Sequence, residues 1–373
     1  MKDSTVTRPQ FAAAIFAALL SPLMRVLPRT SVLMAGRGAW LCAVPSFLIL
    51  LVLTALMNLL RRQLRPGEGT ANLILRYFGP VLGRLVLLVY GAWFLFYAGF
   101  ILRGGAERLA ATVYQQSNTD PFLLVMLALC MLAALGTLRA TARTAVILRA
   151  ILLLALALVS LFAVSNVTWK NLVPVDLSDA PGILLGAWPI FTVGGAAALF
   201  SFLSGYVEPT EKPAKWVVLP LAIFSVVACL LCMEAVGTFG AALTAHLSYP
   251  FFTMIRDVSL FGLAQRIEAV VIALWVFADF VLCTLLLRCA HEALRTVCGY
   301  PKSENLPLFS PRRGRWLLWL EAPAVWACGH FIAASSQQFS AWSQTRIPLL
   351  MNLFVFAGFP LILLVGRLRK MLI

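Results

Sequence analysis

The chain has 373 residues, 61% of them hydrophobic and only 12% charged, with a mean hydropathy of +0.90. A water-soluble core cannot absorb so much apolar surface, whereas a bilayer takes it up at about 20 apolar residues per helix. A formal charge of +15 would suggest nucleic acid as the partner of a soluble protein. Here the placement of the charges decides more than their sum.

Ten apolar segments read as spans, at approximately 10–33, 39–60, 81–103, 121–138, 144–165, 182–205, 216–240, 267–288, 316–336 and 347–366. They predict an all-α integral membrane protein with ten transmembrane helices in a single transmembrane domain, residues 1–373. With the N-terminus placed in the cytoplasm, the inner side carries 21 of the 30 Lys and Arg residues and the outer side 9. The positive-inside rule therefore places both termini in the cytoplasm, and the basic loops answer to topology and anionic membrane lipids, not to nucleic acid. The first segment is of span length and is followed by further spans, which distinguishes it from a cleavable signal peptide.

The ten spans divide into five and five with opposite starting orientation, as an inverted repeat requires: about 10–165, then about 182–366. Each half opens on an interrupted span. Span 1 carries Ser21-Pro22 after Leu20, and span 6 carries Gly194-Gly195 at similar depth. Pro removes a backbone donor and paired Gly weakens a helix. Matched breaks free N–H and C=O groups at mid-membrane, where transporters hold a substrate or ion. Close packing is the alternative reading of the same residues. The ligand site is thus expected near Leu20, Ser21, Gly194 and Gly195.

Within span 7, Cys229 and Cys232 form a C-x-x-C on an apolar helix, and the three histidines show no ligand spacing, so neither metal nor cofactor is expected. Arg25 and Glu234, both towards outer span ends, either pair or snorkel to the interface. The connection 241–266 is too polar to span. After Pro250 it places Phe251, Met254 or Ile255, Val258 and Phe261 at helical spacing, an amphipathic segment serving either as a lid or as an interfacial anchor. Asp279, midway along span 8, is the sharpest ionisable candidate, with Trp275 one turn before it on the same face. A carboxylate at that depth holds a proton, a cation or a ligand ammonium, or else serves as a structural hydrogen-bond acceptor. Glu321 lies near the inner end of span 9, where it is expected to snorkel to the interface, and Arg61-Arg62 and Arg312-Arg313 begin basic cytoplasmic runs. The tryptophans near span ends form an aromatic belt. No nucleophile-base or metal constellation marks an enzyme.

From Tyr249 onwards the residues carry a family pattern: Tyr249-Pro250, Ile255-Arg256, Arg266-Ile267-Glu268 and then Trp275 within a span, with Gly38-Ala39-Trp40-Leu41 at the start of span 2. This resembles the endospore germination permease family, the membrane-embedded B subunits of spore germinant receptors, over the whole length. The resemblance implies the amino acid–polyamine–organocation superfamily fold, a five-plus-five inverted repeat with broken helices 1 and 6. It also implies sensing of a small amino acid-like germinant, together with A and C subunits, in the spore inner membrane or cell membrane. Family members often carry an acidic residue near the break of span 6. Here Val193 to Ala198 is wholly apolar, which leaves Asp279 to supply a carboxylate, or a different ligand. A proton- or cation-coupled amino acid transporter is the alternative on the same fold.

Overall fold

Long apolar runs satisfy their backbone hydrogen bonds within themselves, and the chain is helical nearly throughout. The computed structural model describes residues 6–112, 118–208, 215–247, 249–257, 264–300 and 316–372. No strand forms among them, only an isolated bridge between Val6 and Val207. In chain order the helices are α1 (Arg8–Val26), α2 (Arg29–Ala35), α3 (Ala43–Arg61), α4 (Thr70–Thr112), α5 (Asp120–Leu135) and α6 (Leu138–Ala163). There follow α7 (Ala180–Gly186), α8 (Trp188–Gly195), α9 (Lys215–His246), α10 (Pro250–Asp257), α11 (Ala264–Val297), α12 (Leu317–Phe331), α13 (Ser336–Ala341), α14 (Ile347–Asn352) and α15 (Gly358–Leu372).

Among the described residues, seven helical stretches are long and apolar enough to cross a membrane: Arg8–Val26, Arg29–Arg61, Thr70–Ala110, Leu138–Asn166, Leu177–Tyr206, Val217–His246 and Ser336–Arg369. The three other expected spans fall on α5, a shorter apolar helix of 16 residues, on α11, and on α12 with 15 residues. The protein is a multi-pass membrane protein. Its outward residues are apolar as lipid requires: Val52 is 71% exposed and Val81 74%.

The interior is organised by α11 and α4, which pack along one another, and by α1, which packs on α6 and α11. Glycine permits two sharp features. Gly79, at φ 80°, separates a short first part of α4 from the long helix that Pro80 opens. Gly240, at φ 74°, bends α9 near its end. Gly99 lets α4 meet α12 closely: a Cβ there would lie 2.7 Å from the carbonyl oxygen of Val325 and 2.8 Å from the nitrogen of Gly329.

The two expected breaks resolve differently. Helix α1 runs through Ser21-Pro22 without ending. The missing Pro22 N–H is a local defect that the surrounding turns tolerate, and the chain leaves the helix only at Leu27-Pro28. The interruption of span 1 is therefore displaced by more than a turn from Ser21-Pro22. In span 6 the change comes at the glycines themselves: α8 ends at Gly195, and Ala196–Tyr206 continues as a tighter 3₁₀ helix. Gly194 abuts Leu50 and Phe224, and Gly195 abuts Phe356 and Leu53. Both positions are thus filled by neighbouring side chains, the close-packing alternative.

Helix α10 buries Phe251, Met254 and Ile255 against α9, α11 and α6. Its apolar face is pressed onto the protein, not laid on a lipid surface. Val258, Phe261 and the Arg312-Arg313 run lie outside the described residues.

Candidate functional site

Beyond its first turn, which carries Arg8 and Gln10, α1 is apolar except at Ser21 and Arg25, one turn apart and therefore on one face. Both are buried, and both point towards α4 and α11. From α11, Asp279 is wholly buried and accepts a hydrogen bond from the Ser21 hydroxyl. Trp275, one turn earlier, donates through Nε1 to Ser21 Oγ at 2.9 Å and reaches the Ser21 carbonyl at 3.2 Å. The expected same-face pairing of Trp275 and Asp279 is met, and Ser21 links the two. Tyr249, just before α10, packs edge-on to Trp275 with ring centroids 6.3 Å apart.

The other oxygen of Asp279 is held by Arg108 of α4, whose guanidinium also lies 4.5 Å from the centroid of the Trp275 ring. The carboxylate expected to hold a proton, a cation or a ligand ammonium, or to serve as a structural acceptor, thus has a buried cationic partner on a neighbouring helix. The apolar pattern of span 3 stops at 103 and so leaves Arg108 outside the expected site. The charged string Arg103-Gly104-Gly105-Ala106-Glu107-Arg108 falls just past that boundary, whereas the helix continues to Thr112. Three ionisable residues directly after an apolar run were the available signal. Within the string, Arg103 Nε donates to Glu107 Oε1 at 3.0 Å.

The two glycines of the string have structural work. A Cβ at Gly104 would lie 2.6 Å from Arg25 Nη1, and one at Gly105 would lie 3.1 Å from Asp279 Oδ2. Bare backbone at these positions lets the two ionised side chains of α1 and α11 reach the surface of α4. Arg25 lies 4.5 Å over the Phe100 ring, is 8% exposed, and its Nε donates to nothing. It has no carboxylate partner among the described residues, and Glu234 in particular does not pair with it. The cluster of Arg25, Arg103, Arg108, Glu107 and Asp279 therefore holds three positive and two negative charges.

Of the six expected site residues, Ser21, Trp275 and Asp279 meet in this cluster. Leu20 is buried beside it in α1. Gly194 and Gly195 pack instead against α3, α9 and the 353–357 turn. The described residues contain no group of three or more His, Cys, Asp or Glu side chains able to hold a metal.

A second polar cluster closes the end of the bundle that carries residue 6. Glu292 of α11 takes two bonds from Arg295 and one from the Tyr206 hydroxyl at 2.8 Å. His291 meets the buried Glu321 of α12 at 3.3 Å, so Glu321 has an internal partner and does not snorkel. The chain start is stitched to the same end: Val6 N donates to the Tyr206 carbonyl, and Glu208 N to that of Val6.

The family model described as "Spore germination protein" matches residues 5–311. No curated protein matches the chain. Among solved structures, the chain is similar to the one titled "Substrate-bound outward-open state of a Na+-coupled sialic acid symporter reveals a novel Na+-site". The TM-score is 0.62 at 12% identity, covering 95% of this chain and 79% of that one. At that identity the likeness speaks to fold alone. The family is that of spore germination permeases, and the fold is similar to that of a transporter.

Proposed function

The chain belongs to the spore germination permease family, and on that premise we propose that it is the membrane subunit of a nutrient-germinant receptor. In this reading it binds a small amino acid-like germinant and passes a conformational signal to A and C subunits in the spore inner membrane. Its ten spans form the five-plus-five inverted repeat, with both termini cytoplasmic, as the charge distribution favours.

The ligand site in this proposal lies between α1, α4 and α11, and the observation that carries it is Arg25. A buried guanidinium without an anionic partner is costly in a bilayer, and a ligand carboxylate would offset that cost. Asp279 already has Arg108, so its part is to hold Arg108, Ser21 and Trp275 in place. This shifts the expected role of Asp279 away from an isolated proton or cation site. The tether from Trp275 to the Ser21 carbonyl ties α1 to α11 beside Pro22, where a ligand that displaced it would change the angle between them. Helix α10, packed over α9 and α11, is the segment suited to cover the site.

The test is binding of a panel of amino acids and their amides to the purified chain in nanodiscs, by calorimetry. A carboxylate-dependent ligand should lose about tenfold or more in affinity on Arg25→Gln, at least about 1.4 kcal/mol. Equal binding of acids and amides, or an unchanged Arg25→Gln variant, would remove the site from this place. The alternative, a coupled transporter, predicts ligand accumulation in proteoliposomes by the chain alone. A receptor subunit predicts binding without accumulation.

A further inference from the structure

Glu234 of α9 is completely buried, and neither of its carboxylate oxygens has a partner at full hydrogen-bond geometry. The neutral Ser160 hydroxyl of α6 is turned towards it, and the Ser160 oxygen is likewise buried with no other partner. Thr238 lies one turn on from Glu234 on the same helix face, and its Oγ1 is a third buried oxygen with no partner. Polar oxygens in native interiors are bonded as a rule, and three together at a helix interface are not explained by packing. The surroundings seal the place. Gly237, on the same face, receives bonds at its carbonyl from Thr168 N at 3.0 Å and from the Asn171 side chain at 2.9 Å. Its Cα abuts Val167, so the 164–171 segment caps the end of the α6–α9 groove.

No charged side chain faces Glu234 from the elements around it among the described residues. Arg25 of α1 is turned to Phe100, and Arg29 of α2 donates to the Ala245 carbonyl. Arg37 and Lys170 are exposed. Arg61 closes the far end of α3, Arg149 stands three turns from Ser160 on α6, and Cys42 points towards the Gly38 carbonyl. On α9 itself, the other titratable residues are Lys215 at its first position, about five turns from Glu234, and Cys229, Cys232 and His246. Burying an uncompensated carboxylate is too costly to persist, so its charge is met by something that is not a side chain.

We propose that Glu234, Ser160 and Thr238 form a binding site for one singly charged cation, a proton or an alkali metal ion, between α6 and α9. The donors are one carboxylate and two hydroxyls, all hard oxygens, which suit an alkali ion and not a soft transition metal. A single carboxylate matches a single positive charge, so a divalent ion would leave an excess charge in the low-dielectric interior. With a proton, Glu234 becomes a donor to the Ser160 oxygen. The site shares no residue with the Arg25–Asp279 cluster.

The experiment follows thermal unfolding of the full chain in nanodiscs. One arm titrates NaCl, KCl and LiCl against choline chloride at constant ionic strength; the other varies pH in choline alone. An alkali site raises the unfolding temperature with one ion of the series, and a proton site raises it only as pH falls. Glu234→Gln should abolish whichever response the wild type shows. Ser160→Ala and Thr238→Val should each weaken an alkali response by about tenfold in apparent affinity. If Glu234→Gln does not fold, modification of Glu234 by a hydrophobic carbodiimide, read by peptide mass, takes its place. Labelling should fall with the bound ion or rise with acid. Wild-type unfolding indifferent to all three ions and to pH, or responses fully retained in Glu234→Gln or unaccompanied by any change in Glu234 labelling, would overturn the site.

Discussion

Arg108 touches two residues of one face of α11 at once: it bonds to the Asp279 carboxylate and lies 4.5 Å over the Trp275 ring one turn away. The pair couples α4 to α11, and through Ser21 it couples both to α1. Removing one partner of such a pair strands the other, so single substitutions cost far more than the pair itself contributes. Asp279→Asn and Arg108→Gln should each lower stability by about 3–5 kcal/mol. The double variant should lose clearly less than their sum, in a thermal-unfolding cycle in detergent. Additive losses would mean the two side chains do not act together.

Gly104 and Gly99 lie on the same helix and answer differently to an added methyl. At Gly104 the Cβ meets the mobile end of Arg25, so Gly104→Ala should move the guanidinium and reduce ligand affinity while leaving unfolding nearly unchanged. At Gly99 the Cβ meets the backbone of α12, which cannot yield locally. Gly99→Ala should cost about 1–3 kcal/mol of stability. Parallel binding and melting curves separate the two, and a reversed order would contradict the contacts.

Gly194→Leu and Gly195→Leu place bulk where Leu50, Phe224 and Phe356 already are. The expected outcome is poor folding, read as low monodisperse yield, and not a folded protein that has merely lost its ligand. Even Gly194→Ala should cost about 1–3 kcal/mol. Well-folded leucine variants blind to ligand would restore these glycines to the binding site.

Trp275→Phe keeps the ring under Arg108 but removes the donor to Ser21. The expected loss is about 0.5–1.5 kcal/mol, with Trp275→Ala costing more because the aromatic body goes as well. Ser21→Ala on top of Trp275→Phe should add little through that bond. Full additivity in melting measurements would show the Trp275–Ser21 bond to be energetically idle.

Helix α10 buries Phe251, Met254 and Ile255 against its neighbours. Hydrogen exchange over 250–257 should slow when a ligand fills the α1–α4–α11 site. Identical exchange with and without saturating ligand would leave α10 a passive cover.

Apolar run length and helical spacing alone give the class, the rough positions of the spans and the one-turn pairing of Trp275 with Asp279. These follow from local rules: apolar length against bilayer thickness, and 3.6 residues per turn. The paired glycines also mark a change of structure at Gly194-Gly195, where the helix tightens to 3₁₀. Which side chains meet is a matter of three-dimensional packing. Asp279 and Arg108 are 171 positions apart, and Ser21 and Asp279 are 258 apart. No local pattern encodes such separations, which arise from the packing of α1, α4 and α11. Whether a proline ends a helix was likewise a tertiary matter: the packed turns around Ser21-Pro22 carry α1 through the missing donor. That Arg25 and Glu234 lack an ionic partner among the described residues is also a three-dimensional property, because a charge is unpaired only with respect to everything folded around it.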